Sequence, residues 1–155
     1  MNNTELRQKG FSERERVGRE KLERLYQKRG ITQYEFTPNK YDAWDSSYTA
    51  ETDCTYNIEI KDKDEPIMKW YERGIILEKK KYTPMIKAYN ETGSEPLYIN
   101  FFQDGEGFWA NLLDITPKWV WKLCTETTAN GTYGQNKVWK KVTFIMPEEG
   151  YRFKY

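Results

Sequence analysis

Histidine is missing altogether from the 155 residues, and that absence removes more chemistry than any other feature of the composition. Imidazole zinc sites, Ser-His-Asp triads and Cys-His dyads all need it. Any catalysis falls to carboxylates, lysine, tyrosine or a hard metal ion. Cysteine is nearly absent as well: Cys54 and Cys124 lie far apart, show no paired metal-ligand spacing, and read as free thiols of a reducing compartment. Nowhere do about 18 apolar residues run together, and the opening "MNNTELRQKGFSERERVG" lacks the apolar stretch of an export signal. The expectation is a cytoplasmic protein with no membrane partner. Net charge is also almost absent, at a formal +1, so no global field draws the chain onto nucleic acid. Binding of that kind has to come from local patches.

What is present argues for a folded chain. Hydrophobic residues make up only 37% and the mean hydropathy is −0.96, values that lean towards disorder. The 16% of aromatic residues, spread along the whole length, lean the other way. The size fits a single domain over residues 1–155.

"FSERERVGREKLERLYQKRG" predicts a helix, with Ser12 and Glu15 as a capping box and Gly30 as the stop. Phe11, Glu15, Gly18, Leu22 and Leu25 share one face of it. "ITQYEFTPN" is a short extended segment. "KYDAWD" and "CTYNIEIK" read as two strands around a polar connection from Ser46 to Asp53. "GIILE" is a buried strand or a helix entry. "TPMIKAYNETG" reads as a helix with Thr83 at the N-cap, Pro84 at the first position and Gly93 past the end. "PLYINFFQDGEGFWANLL" is a hairpin turning at Asp104-Gly105. "CTETTANGTYGQN" reads as a long loop and "KVWKKVTFIMP" as a last strand, to which "YRFKY" adds. This order predicts an α+β (mixed α/β) fold, a central mixed sheet flanked by helices.

One strand carries chemistry. Cys54, Tyr56, Ile58 and Ile60 alternate with Thr55, Asn57, Glu59 and Lys61, so a carboxylate and an ammonium project from one face. That pairing makes sense if the face holds a metal ion and a phosphate. Divalent-metal nucleases need two or more acidic ligands for magnesium, which keeps several waters. They also need a group beside the metal to orient or deprotonate the attacking water, or to offset developing charge. The further acid comes from the preceding strand, where facing residues share a sheet face. Asp42 lies opposite Glu59 or Lys61 if the turn centres near residue 51; Asp45 faces Glu59 if the centre is slightly later. The turn alone does not choose. With Asp42 in place Tyr41 and Ala43 join the core, and with Asp45 in place Trp44 does. Asp42 is preferred, partly on the resemblance that follows.

The residues resemble the PD-(D/E)xK, or restriction-endonuclease-like, nuclease superfamily, including its Holliday junction resolvase-like and phage-borne branches. The family pattern is a helix with a glutamate, an aspartate at the start of a strand, then apolar-E-apolar-K on the next. Here that looks like Glu15, Tyr41-Asp42 and Ile58-Glu59-Ile60-Lys61, with Glu15, Gly18 and Leu22 in the family's helix spacing. The likeness covers about residues 10 to 113. The motif's proline is replaced by Tyr41, and Pro84 falls where several relatives continue a helix. The resemblance implies a restriction-endonuclease-like core and a Mg2+- or Mn2+-dependent DNA nuclease. Asp42 and Glu59 would be metal ligands, Glu15 a further one, and Lys61 the water-orienting or charge-stabilising group. Lys79, Lys80 and Lys81 would contact DNA, though which of them points into the site is open. Cutting both strands would need a homodimer or two successive nicks.

Each feature has a plainer reading. Glu59 and Lys61 could form an exposed ion pair worth at most about 1 kcal/mol, and Glu15 could serve only as a cap. Glu78-Lys79-Lys80 repeats Glu-x-Lys without strand alternation. Lys79 to Lys81, with Lys137, Lys140 and Lys141, fit a solvated face; Tyr98, Trp109, Trp119 and Trp121 fit a core as well as base stacking. The competing function is a catalytically inactive nuclease-fold protein, phage-encoded, that binds or inhibits a host or virion partner; the phage reading would place either version in the host cytoplasm.

Overall fold

Ser12 begins the first long helix as its neighbours dictate. In the structure, a computed structural model describing residues 2–127 and 133–155, α1 (Asn3–Gln8) is followed by α2 (Glu13–Lys28). The Ser12 hydroxyl accepts from the Glu15 amide at 3.2 Å, and the Glu15 carboxylate accepts from the Ser12 amide at 3.2 Å. Gly30 closes the end at φ 70°. The capping box and the stop are as expected; α1 was not foreseen.

The chain continues through β1 (Tyr34–Phe36), β2 (Ser46–Thr49), β3 (Thr55–Asp62), α3 (Met68–Tyr71), β4 (Ile75–Glu78) and α4 (Lys79–Thr92). Then come β5 (Glu95–Phe101), β6 (Glu106–Asn111), β7 (Val120–Thr127), β8 (Tyr133–Ile145) and β9 (Tyr151–Lys154). Six strands form one sheet in the order β1-β2-β3-β5-β6-β9, and β4-β8-β7 form a second. Every pairing is antiparallel except β3 with β5. That parallel pair needs a crossover, and α3, β4 and α4 provide it. The class is α+β, a mixed sheet flanked by helices. Among the described residues no helix is long and apolar enough to cross a membrane.

The six-stranded sheet is covered on both sides. Ile58, Ile60, Leu97, Ile99 and Phe101 pack against Leu22 and Tyr26 of α2. From the other face Tyr98, Phe108 and Ala110 pack with Met85 of α4 and with Ile75, Leu77 and Ile145 of the second sheet. In the middle of β3 the alternating polar residues are therefore not open to solvent: Asn57 and Glu59 are buried, while Thr55 at the start is exposed and Lys61 partly buried.

Two devices seat α2. Gly18 lies so close that a Cβ there would stand 3.0 Å from Ile60 Cγ2. At the end of β3 the fully buried Asp62 carboxylate accepts from Arg14 and from Lys21, each at 2.6 Å. The clamp ties both halves of the helix to one strand.

Several expected segments are corrected. "KYDAWD" is not a strand: the Asn39 amide donates to the Asp42 carboxylate (2.9 Å) and the Tyr41 amide to Asn39 Oδ1 (3.0 Å), a side-chain-stabilised turn. The strand lies instead at Ser46–Thr49, inside the stretch expected to be the connection. Tyr41 is 82% exposed, so it does not enter the core, whereas Trp44 packs against it. α4 begins at Lys79 rather than Pro84, which sits inside it, while Gly93 ends it at φ 79° as expected. "YRFKY" joins β6, not the last strand. Much of "CTETTANGTYGQN" belongs to β7 and β8, and its residues 128–132 lie outside the described residues. The hairpin at Asp104-Gly105 forms as expected.

Removing the clamp leaves the half-buried Lys21 without its carboxylate, while the more exposed Arg14 keeps only Asp64 at 3.8 Å. Asp62→Ala is expected to cost about 3 kcal/mol in urea unfolding, with α2 amides losing hydrogen-exchange protection first.

Candidate functional site around Glu59

Ser46 pairs with Ile58, and one rung further the chain sets Asp45 against Glu59. The Asp45 amide donates to the Ile58 carbonyl at 2.8 Å, but the next ladder bond is replaced: the Ile60 amide donates to Asp45 Oδ2, also at 2.8 Å. A side-chain carboxylate thus takes the place of a backbone acceptor where β2 begins. Its other oxygen lies 3.6 Å from the guanidinium of Arg19.

Glu59 itself is 2% exposed. Its Oε1 is 3.3 Å from Lys81 Nζ, and its buried Oε2 has no hydrogen-bond partner among the described residues. Burial pushes the Glu59 carboxyl well above the usual range, and the charge of Asp45 pushes it further, against the opposing pull of Lys81 and Lys61. Burial would lower Lys81, but Glu59 first and Asp45 next outweigh it and raise the ammonium above its ordinary value. Lys81 is thus paired with the buried Glu59 and feels the charge of the partly exposed Asp45 as well.

Lys61 projects from the same face, opposite Asn100 of β5. Among the described residues it has no ion pair within 4 Å, although its charge acts on both Glu59 and Glu78. Asn100 is fully buried, and among the described residues neither its amide nitrogen nor its oxygen makes a hydrogen bond of ordinary geometry, although its side chain lies near enough to act on the Tyr98 hydroxyl. Buried polar atoms are usually satisfied; Glu59 Oε2 and the Asn100 amide are the exceptions on this face of the sheet among the described residues. Glu78 borders it. Burial would raise this carboxyl, but the 2.8 Å bond from Lys140 and the charges of Lys61, Lys140 and Lys80 hold it below the usual range.

The residues singled out from sequence divide accordingly. Glu59 and Lys61 share the expected face, and that face is buried, which removes the exposed ion-pair reading; Glu59 pairs with Lys81, not Lys61. Asp45 rather than Asp42 stands beside Glu59, because the turn at Asp53 (φ 65°) sets the later register. Asp42 is spent on its own turn. Glu15 is exposed and caps α2 on the opposite side of the sheet from Glu59, its charge reaching Arg19. Of the three lysines at the start of α4, Lys81 points into the site, Lys80 pairs with Glu78 at 3.3 Å, and Lys79 lies over the Trp119 ring.

Arg19 was missed. It is 4% exposed, donates to the Thr37 carbonyl at 2.9 Å, sits over the Phe11 ring, and feels Asp45, Glu15, Asp42 and Glu59 in that order. The signal was available: Arg19 falls one turn after Glu15 and next to Gly18 on the packed face.

Compared with known protein families, with characterised proteins and with solved structures, the chain matches none.

Two outcomes follow for the buried pair. Lys81→Met should destabilise the wild type and barely affect Glu59→Gln, a coupling of about 1–3 kcal/mol in a double-mutant cycle. Because the folded-state pKa of Glu59 is raised, its contribution is present at acid pH and lost as pH rises through that value. Glu59→Gln should therefore gain on the wild type as pH rises from about 4, read by urea unfolding in EDTA.

Proposed function

We propose that the chain is a divalent-metal-dependent phosphodiesterase acting on DNA, built on a restriction-endonuclease-like core. The observation that carries this reading is the Glu59 carboxylate: buried, half unpartnered, level with Asp45, and followed on its own face by an unpaired lysine. The order of elements supports it. A helix bearing Glu15 precedes Asp45 at the start of β2, and Glu59-Ile60-Lys61 follows on β3, the pattern the resemblance requires with Asp45 in place of Asp42.

Among the described residues no three His, Cys, Asp or Glu side chains are grouped to hold a metal. The donors suit a different kind of site. Magnesium is commonly held by one or two carboxylates and completes its shell with water and substrate phosphate. Asp45 and Glu59 Oε2 match that requirement, and Mn2+ would fit the same oxygen set. When bound there, the cation would acidify a water and offset charge on the phosphate.

The protein's own contribution is electrostatic preparation. Arg19 and the Ile60 amide hold Asp45 in position. Lys81 steadies Glu59 from α4, a positioning role that leaves Oε2 open. Lys61 is the ammonium available to a phosphate oxygen or to the attacking water. Exposed Lys80, and Lys79 beside Trp119, would contact a DNA backbone near the same helix start. On this reading the enzyme works in the cytoplasm, a host's if phage-borne, and a duplex cut needs a dimer or two nicks.

Cleavage of plasmid and oligonucleotide DNA with Mg2+ or Mn2+ tests the reading. Asp45→Asn, Glu59→Gln and Lys61→Ala should each lower the rate about a hundredfold or more without loss of folding, while Asp42→Asn should cut nearly normally. Equal cutting by Glu59→Gln would overturn the assignment, and a wild type inert with every metal would favour the binding-protein alternative.

A further inference from the structure

The hairpin of β7 and β8 exposes what folded domains usually cover. Trp121 is 63% exposed, Trp139 64% and Leu123 43%. Cross-strand pairing puts Trp121 opposite Lys141, Leu123 opposite Trp139 and Thr125 opposite Lys137. Facing residues share a side of the ribbon, so two indoles, a leucine and two lysines form one surface. Lys141 Nζ stands 5.2 Å from the centre of the Trp121 ring.

The charge of this ribbon leans one way. Between residues 118 and 146 the sequence carries Lys118, Lys122, Lys137, Lys140 and Lys141 against a single acid, Glu126, in a chain whose net charge is only +1. On the reverse side Lys122 lies directly across from Lys140, a like-charge pairing that weakens a hairpin. Glu78 takes up Lys140 at 2.8 Å, and among the described residues Lys122 has no ion pair. Neither the bare indoles nor the crowded ammonium groups help this ribbon to fold.

We propose that this face binds a single-stranded stretch of nucleic acid, its bases stacked on Trp121 and Trp139 and its phosphates on the interleaved lysines. The charge fits a polyanion, and flat apolar rings fit bases whose faces are free. A duplex keeps those faces buried in its own stack, so the tryptophans select unpaired strands. The hairpin also leads to the candidate site. Val120 pairs with Val142, which pairs with Glu78 at the start of α4. Next to them Trp119 meets Tyr82 edge-on at 5.2 Å and lies under Lys79. A strand held on the ribbon therefore runs towards the helix turn that carries Lys81. The link to cleavage rests on the nuclease reading; the binding itself does not.

Binding is measured on Glu59→Gln protein in EDTA, by anisotropy of a fluorescein-labelled 20-nucleotide thymidine oligomer and by quenching of tryptophan fluorescence. Trp121→Ala and Trp139→Ala are each expected to weaken binding about fivefold or more, with Phe at either position keeping most of the affinity. Lys137→Ala and Lys141→Ala should each reduce the slope of log affinity against log salt by about 0.7, while Lys122→Ala on the reverse side should leave it nearly unchanged. A matched duplex should bind more weakly and lose little on Trp→Ala substitution. Unchanged affinity in the folded Trp121→Ala/Trp139→Ala double variant would overturn the proposal. So would a nucleic-acid-free dimer that this variant splits in sedimentation, or tryptophan-dependent binding to phosphatidylserine vesicles without binding to the oligomer. Because cleavage and metal play no part, failure here leaves the Glu59 assignment standing, and an active Glu59→Gln enzyme leaves this one standing.

Discussion

A glutamate placed in the middle of a sheet that is covered on both sides cannot stay charged without a cation close by. Glu59 is in that position because β3 lies between β2 and β5, with α2 closing one face and α4 with the second sheet closing the other. Only Lys81 reaches it directly among the described residues, and it engages one oxygen. The rest of the site follows from that unfinished compensation: Asp45 deepens the negative field, Arg19 tethers Asp45 from the far side, and Lys61 remains unpaired at the margin. Folding alone would favour an apolar side chain in place of such a carboxylate.

The scaffold's larger features serve the same point. α2 is drawn tightly onto β3 by Gly18 and by the Asp62 clamp, which fixes Arg19 against Thr37 and Asp45. The crossover through β4 and α4 makes β5 parallel to β3 and delivers the first turn of α4 above Glu59. Glu78 and Lys140 then tie that turn to β8, linking the candidate site to the lysine-rich hairpin. A buried carboxylate, an inward lysine and an aromatic ribbon are thus parts of one connected wall.

Much of this was legible in the residues, and the failures have physical causes. The alternation of Ile58 and Ile60 with Glu59 and Lys61 announced β3 and its two faces, Ser12 and Glu15 announced α2, and Asp104-Gly105 announced a hairpin. Ser46 to Thr49 was invisible as a strand because its residues are polar; Tyr48 gains its place by stacking on Tyr56 at 4.7 Å and meeting Tyr26 at 5.4 Å. That miss moved the register and put Asp42 forward where Asp45 stands. Pro84 hid the true start of α4, since proline favours a helix's first turn, and with it went the role of Lys81. Helix periodicity puts Arg19 on the packed face beside Gly18, but its partners Thr37 and Asp45 are distant in sequence and periodicity does not name them. That the polar side of β3 would be buried depended on where α4 and the second sheet came to rest.

The most direct measurement is the anomalous difference map of a crystal soaked in Mn2+. The account predicts a peak about 2.1 Å from Glu59 Oε2 and from an Asp45 carboxylate oxygen, with Lys61 facing it. A map without density there, Lys81 still bridging Glu59 and Asp45 still bound to the Ile60 amide, at metal concentrations that support cleavage, would contradict it.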